Sequence, residues 1–274
     1  MSILQAVVLG VVQGLTEFIP VSSTAHLILL EKVLGWNFGE DVDFAFNVLI
    51  QLGTTLALII YFRQDLWNIV RAVMVGLLQR QPLASADARL GWLVVVATIP
   101  AVVIGLLFKN FFEALHEQPV VVALVLIVAS ALLFLGERIG KQQRALGAAT
   151  WLDSIVVGLA QALALVPGVS RSGATISAAL ARGFERTAGA RFSFLMSVPA
   201  LLGASVLAAR DLAKTPNLGT IVLPLGVGFA VAGIVGFVSI HSLLRYLSRH
   251  PLYVFGWYRL LAGIVFLALL LTLR

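Results

Sequence analysis

Two apolar stretches of this 274-residue chain, residues 3–35 and 154–181, are interrupted at Pro20 and Pro167, and each proline is followed by a cluster of hydroxyl side chains. A proline inside a helix costs about 3 kcal/mol and frees a carbonyl from its partner. Irregular backbone at membrane depth survives only where it is buried in protein or lines a water-filled cavity. Each stretch is therefore expected to form two half-helices around a turn, a re-entrant hairpin that enters the bilayer and leaves on the same side. Six further runs lie near positions 44–62, 92–108, 120–136, 192–209, 219–240 and 251–273. They come close to the ~20 residues that span ~30 Å of hydrocarbon. At 60% hydrophobic, 12% charged and mean hydropathy +1.01, the chain has too little polar surface for a soluble globule. The expected fold is an all-α membrane protein, a polytopic helical bundle of about six full spans plus two re-entrant helical hairpins.

Charge placement agrees with that count. Arg63, Arg71, Arg80 and Arg89 share one loop; Arg138, Lys141 and Arg144 a second; Arg182, Arg186 and Arg191 a third; Arg245 and Arg249 a fourth. If both broken stretches are re-entrant, all four loops fall on one face, which the positive-inside rule makes cytoplasmic. The other face carries Glu31, Glu40, Asp41, Asp43, Glu113 and Glu117. Lys and Arg outnumber Asp and Glu by 19 to 13, a surplus that sets orientation in a membrane protein, and no nucleic-acid partner is expected. Without cysteine, disulfides, thiolate nucleophiles and Cys-based metal sites are excluded. The first apolar run lacks a basic leader and is expected to remain in the mature protein.

The two halves, about 1–136 and 154–274, echo each other within one integral membrane domain, 1–274. Gly10-x-x-Gln13 recurs as Gly158-x-x-Gln161, and Pro20-Val21-Ser22-Ser23-Thr24 recurs, with one residue inserted, as Pro167-Gly168-Val169-Ser170-Arg171-Ser172. Phe46 and Arg63-Gln64-Asp65-Leu66 resemble Phe192 and Ala209-Arg210-Asp211-Leu212. The charge assignment sends the first hairpin in from outside and the second from inside, giving an inverted-topology repeat of the kind that secondary transporters use.

The hairpin tips carry the chemistry. Ser22 is placed to cap a half-helix beginning Ser23-Thr24-Ala25-His26, and Ser170 or Ser172 to cap its counterpart. Free N–H groups and the positive dipole end then face the space between the tips, which suits phosphate. Arg171 adds a planar fork for two phosphate oxygens. An arginine costs roughly 2.5–3.5 kcal/mol in the membrane even on the lenient insertion scale, so it marks a ligand or ion site. Ser23 and His26, three apart, share a helical face, so a hydroxyl and an imidazole are expected to address the same ligand. Gln13 and Glu17, four apart, also share a face. One carboxylate and one amide make a poor metal cage, yet they suit Mg²⁺ or Ca²⁺ when substrate phosphates supply the remaining oxygens. Plainer readings stand beside these: the serines as caps only, Glu17 and Arg171 as a structural pair, and Arg259 as a structural, snorkelling or substrate-touching residue.

The chain resembles the bacterial undecaprenyl diphosphate phosphatase family, the integral-membrane type associated with bacitracin resistance. The resemblance rests on Gln13-Gly14-Leu15-Thr16-Glu17-Phe18-Ile19-Pro20-Val21-Ser22-Ser23-Thr24-Ala25-His26 and Pro167-Gly168-Val169-Ser170-Arg171-Ser172-Gly173-Ala174-Thr175. It implies removal of the terminal phosphate from a C55 isoprenoid diphosphate, at the outer side of the plasma membrane, regenerating the lipid carrier of cell-wall synthesis. It also implies Glu17, Ser23, His26 and Arg171 as catalytic groups. Ser23 is the favoured nucleophile, with His26 as its base, because a hydroxyl at a helix N-terminus has donors waiting for the oxyanion it helps create; the alternatives are His26 as nucleophile and Glu17 activating water directly. Gln13, Ser22, Thr24, Ser170, Ser172, Gly173 and Thr175 would bind substrate, and Glu17 with Gln13 would hold a divalent cation. Gln13 stands where the family commonly has Glu, and Ala25 where glycine is usual. The rival reading is a polyprenyl-phosphate transporter or flippase without hydrolysis. The sequence leaves the oligomeric state open, a homodimer included.

Overall fold

The computed structural model describes residues 1–212 and 222–272. Its helices are α1 Ile3–Phe18, α2 Ser23–Leu34, α3 Glu40–Tyr61, α4 Arg63–Leu78, α5 Ala86–Leu107, α6 Lys109–His116, α7 Pro119–Ile139, α8 Trp151–Leu163, α9 Arg171–Ala181, α10 Arg186–Leu212, α11 Val222–Leu247 and α12 Tyr253–Thr272. Six of them, α3, α5, α7, α10, α11 and α12, are long and apolar enough to cross a membrane, and they fall on the six apolar runs. The protein is a polytopic helical membrane protein. The side chains of the Ala209-Arg210-Asp211-Leu212 element of the repeat lie outside the described residues.

Both prolines end their helices as expected. α1 has 16 residues and α8 has 13, or about 24 and 20 Å at ~1.5 Å per residue, short of the ~30 Å of hydrocarbon. Each turns back, α1 into α2 and α8 into α9, so two helical hairpins stand among six spans. The basic stretch 63–80, read above as a loop, differs: residues 63–78 form α4. One side of it is exposed apolar surface, including Trp67, Val70, Met74 and Leu78. Its mixture of arginines and apolar groups is that of a helix lying in the membrane–water interface.

The hairpins enter from opposite faces. The α8–α9 hairpin is closed at its open end by Asp153, which accepts from Arg144 (Nη2, 2.6 Å) and from Arg182 Nε (2.7 Å). Nearby, Glu137 accepts from Arg186 Nε at 2.8 Å and from the Leu252 amide at 2.8 Å. Arg191 reaches Asp65 at 3.0 Å, and Arg89 reaches the Ala149 carbonyl at 2.9 Å. These bonds gather the basic segments on one face, where α7 ends. The end of α2, by contrast, shares a surface depression with Glu117 and Pro119, where α7 begins, and with Leu270 of α12. Since α7 crosses between the two faces, one hairpin opens on each.

Close approach sets the depth of each hairpin. α1 packs mainly on α11, and α8 mainly on α5. A Cβ at Gly10 would lie 2.9 Å from the Gly228 carbonyl oxygen, and one at Gly158 would lie 2.5 Å from that of Ala97. These two glycines are repeat equivalents, and each lets a half-helix lie against backbone, the small-residue packing that membrane bundles use in place of hydrophobic burial.

Single cysteines at Asn37 and Glu117 should react with an impermeant maleimide added to intact cells, whereas those at Gln79 and Gln142 should react only after permeabilisation. Labelling of Gln79 in intact cells would contradict this face assignment.

Candidate active site

Each hairpin tip is built the same way. Ser22 caps α2 by accepting from the Ala25 amide (3.4 Å), and Ser170 caps α9 by accepting from the Gly173 amide (3.2 Å). Both serines have positive φ, 75° and 71°, a region L-residues enter at a cost of about 1–2 kcal/mol. Two equivalent strained caps at the ends of two half-helices are the kind of local strain that functional sites retain. They aim the N-termini of α2 and α9 into the space between the tips.

The tips meet through an ion pair. Arg171 Nη2 donates to Glu17 Oε1. The other Glu17 oxygen accepts from Ser23 Oγ at 2.7 Å and from Gln13 Nε2 at 3.1 Å. Ser172 Oγ, directed at the Ile19 carbonyl (3.3 Å), links the tips a second time. Glu17, Ser22, Ser23, Thr24, Ser170 and Arg171 line a cavity of about 300 Å³. A second cavity of about 190 Å³ shares Glu17, Ser23, Thr24, Gln51 and His116 with it, adds Gln13, and continues to Glu31 and Asn47. Together they form a polar passage from the tips to the acidic face.

Some expected members of the site lie elsewhere. His26 does not join Ser23. Its Nδ1 lies 2.8 Å from the Ser22 carbonyl and its Nε2 lies 2.9 Å from the Tyr258 hydroxyl. A carbonyl only accepts, so Nδ1 carries the proton and Nε2 accepts from Tyr258. The i−4 bond to Ser22 and ring stacking on Tyr258 swing the imidazole towards α12, so the acceptor beside Ser23 is Glu17. Thr175 is wholly buried, donating to the Arg171 carbonyl at 2.7 Å and pairing with Ser193. Gly173 and Ser172 are buried and contribute to the α9 tip without lining either cavity.

Other residues join the site without having been assigned to it from the sequence. Gln161 lines the larger cavity, as do Gln51 and His116. Arg259 is fully buried and donates through Nη2 to the Gly168 carbonyl at 2.9 Å, holding the turn of the second hairpin. The echo of Gln13 in Gln161 was a usable signal, and of the three readings given above for Arg259 the contact with Gly168 is the structural one; the reach of Tyr258 to the first tip had no signal.

The site offers a divalent cation few protein ligands. Glu17 is the only Asp or Glu lining the larger cavity, and among the described residues no three His, Cys, Asp or Glu side chains assemble as a metal cage. Both Glu17 oxygens already accept from protein donors. The residues therefore fit a cation only as a partner of phosphate oxygens brought by a substrate, the hard-oxygen chemistry of Mg²⁺ or Ca²⁺.

Residues 6–265 match the family described as Bacitracin resistance protein BacA. The chain belongs to this family. Among its relatives, a protein of Chloroherpeton thalassium named undecaprenyl-diphosphatase is 44% identical over 98% of this chain and 97% of its own length. Proteins of the same name from Mycolicibacterium smegmatis and Myxococcus xanthus are 44% and 42% identical, each over 99% of this chain and over 98% and 90% of their own lengths. Both motifs that line the hairpin tips fall inside the matched span.

Replacing Tyr258 with Phe would leave His26 Nε2 without a donor in apolar surroundings, a loss of about 1–3 kcal/mol. Thermal unfolding in detergent should register it, while turnover per folded molecule stays within a few-fold. A loss of turnover as deep as that of Ser23→Ala would place His26 in the reaction.

Proposed function

We propose that the protein hydrolyses undecaprenyl diphosphate to undecaprenyl phosphate and inorganic phosphate, recycling the lipid carrier for cell-wall synthesis. The observation that carries this reading is the Ser23 hydroxyl held 2.7 Å from the Glu17 carboxylate, beside Arg171 and two half-helix N-termini. A carrier that only moved a phosphate would need the cations but not a hydroxyl paired with a base. We read residues 1–274 as one integral membrane domain in the bacterial plasma membrane, with repeat halves about 1–136 and 154–274. The polar passage towards Glu31 and Asn47 supports a site open to the outer side.

The chemistry follows from the tip geometry. An arriving diphosphate competes with Glu17 for Arg171, whose fork suits phosphate oxygens, and so releases the carboxylate from its counter-ion. Glu17 takes the Ser23 proton as Oγ attacks the terminal phosphorus. An O–P bond forms, the bond from phosphorus to the bridging oxygen breaks, and polyprenyl phosphate leaves. Glu17 then transfers its proton to solvent. In the second step it takes a proton from water, which attacks the phosphoserine; the Ser23–phosphorus bond breaks and inorganic phosphate departs. Arg171 and the N-termini of α2 and α9 stabilise charge on the transferred group. Glu17 and Gln13 would hold a Mg²⁺ or Ca²⁺ ion together with substrate oxygens, adding further neutralisation of phosphate charge when bound.

Detergent-purified protein should release phosphate from long-chain prenyl diphosphates, with EDTA reducing the rate. Arg171→Lys keeps the charge but loses the fork and should lose about 3 kcal/mol of transition-state stabilisation. Quenching turnover with terminally labelled diphosphate should trap acid-stable label on Ser23. Retention of more than about a tenth of the rate in Ser23→Ala, only ~1.4 kcal/mol of barrier, would remove Ser23 as nucleophile.

The mouth of the passage adds a pH dependence. Burial, and secondarily Asp43, push the Glu31 carboxyl, at the outer end of α2, up to about 7. Below that pH it is neutral; above it, a negative charge stands where an anion must enter. KM should therefore rise as pH passes through 7, and Glu31→Gln should flatten that limb of the profile. An unchanged limb in Glu31→Gln would exclude Glu31 as its source.

A further inference from the structure

Gln161 is 3% exposed and lines the larger cavity, yet neither its Oε1 nor its Nε2 has a hydrogen-bond partner. Buried amides are ordinarily satisfied, and one left wholly unpaired calls for a physical reason. The repeat supplies it. Its equivalent, Gln13, donates to Glu17 at 3.1 Å, four residues on, and lies 3.4 Å from Thr54 Oγ1 on α3. Counting four residues on from Gln161 gives Leu165. Aligning Phe46 with Phe192 places Ala200 opposite Thr54. Both Leu165 and Ala200 line the same cavity as Gln161. The second half has thus lost both partners of its glutamine while keeping the glutamine itself.

We propose that Gln161 is a direct ligand of the substrate's diphosphate headgroup, donating Nε2–H to a phosphate oxygen that plays for Gln161 the part the Glu17 carboxylate plays for Gln13. The headgroup is then gripped from the second hairpin by Arg171 and Gln161, and addressed from the first by Ser23 and Glu17. This rests on the diphosphatase reading, and binding tests it separately from turnover.

The experiment uses the full-length protein in detergent, with a non-hydrolysable farnesyl methylenediphosphonate and inorganic phosphate as probes. Gln161→Leu removes an unpaired amide, so its unliganded melting temperature should be unchanged or higher. Its Kd for the diphosphonate should rise about ten- to hundredfold. KM for farnesyl diphosphate should rise with it, and more than kcat falls. Gln161→Glu, the same shape with a negative charge, should weaken binding further. A larger loss for the diphosphonate than for inorganic phosphate is expected if the lipid headgroup, rather than free phosphate, is the ligand. Unchanged diphosphonate affinity in Gln161→Leu, no binding by the unaltered protein, or a drop in unliganded melting temperature that marks the amide as structural would each overturn the proposal. Binding of the diphosphonate by the unaltered protein, with no phosphate released from farnesyl diphosphate, would defeat the hydrolysis reading and leave the Gln161 result to stand on affinity.

Discussion

Glu17 and Arg171 face each other from the tips of hairpins that enter through opposite faces, and neither charge is tolerable alone within hydrocarbon. Their pairing requires the two tips to reach the same depth. That depth is set by glycine contacts that let α1 lie on α11 and α8 on α5. The second hairpin is further fixed by the wholly buried Asp153, clamped between Arg144 and Arg182. Removing either arginine would leave a buried carboxylate with one fewer partner, so the clamp fixes the open end of the hairpin whose far end is the tip. Here packing and electrostatics are one constraint.

The two halves share a scaffold and divide its chemistry. Ser22 and Ser170 cap in the same way and carry the same strained backbone. The next residue is Ser23 in one half and Arg171 in the other, so the first turn of α2 presents a hydroxyl where that of α9 presents a guanidinium. Glu17 has Leu165 as its counterpart, which leaves a single carboxylate between the tips. In the proposed reaction that asymmetry is useful: one acidic group suffices as base, and a second would repel the phosphate. The twin helix N-termini suit anions from either side.

At rest the ion pair is also a placeholder. Arg171 neutralises Glu17, and Glu17 in turn holds the Ser23 hydroxyl, so the cavity contains no unpaired charge while it waits for an anion. Phosphate and carboxylate make similar demands on a guanidinium, so an arriving phosphate can replace the carboxylate on Arg171 and leave Glu17 without its counter-ion. Arg259, fully buried and bonded to the Gly168 carbonyl, adds positive charge behind the second tip, where it favours the anion without contacting the cavity.

Hydrocarbon thickness sets a length that any sequence must meet, and for that reason the six spans, the two breaks and the sidedness of the basic segments were legible in the chain. The hydroxyl clusters mattered as much as the prolines, since Pro100 and Pro199 sit inside continuous helices. The meeting of Glu17, Ser23 and Arg171 was legible too, because repeat symmetry places both tips in one region. Helix α4 was not, because its mixture of arginine and apolar residues falls short of a spanning signal. Nor was the turn of His26 away from Ser23, which depends on Tyr258, 232 residues distant, or the clamps on Asp153 and Glu137. Local spacing tells which side chains share a helical face. Only tertiary packing decides which hydrogen-bond partners reach that face first, and it gave Ser23 to Glu17, His26 to Tyr258, and left Gln161 with no protein partner.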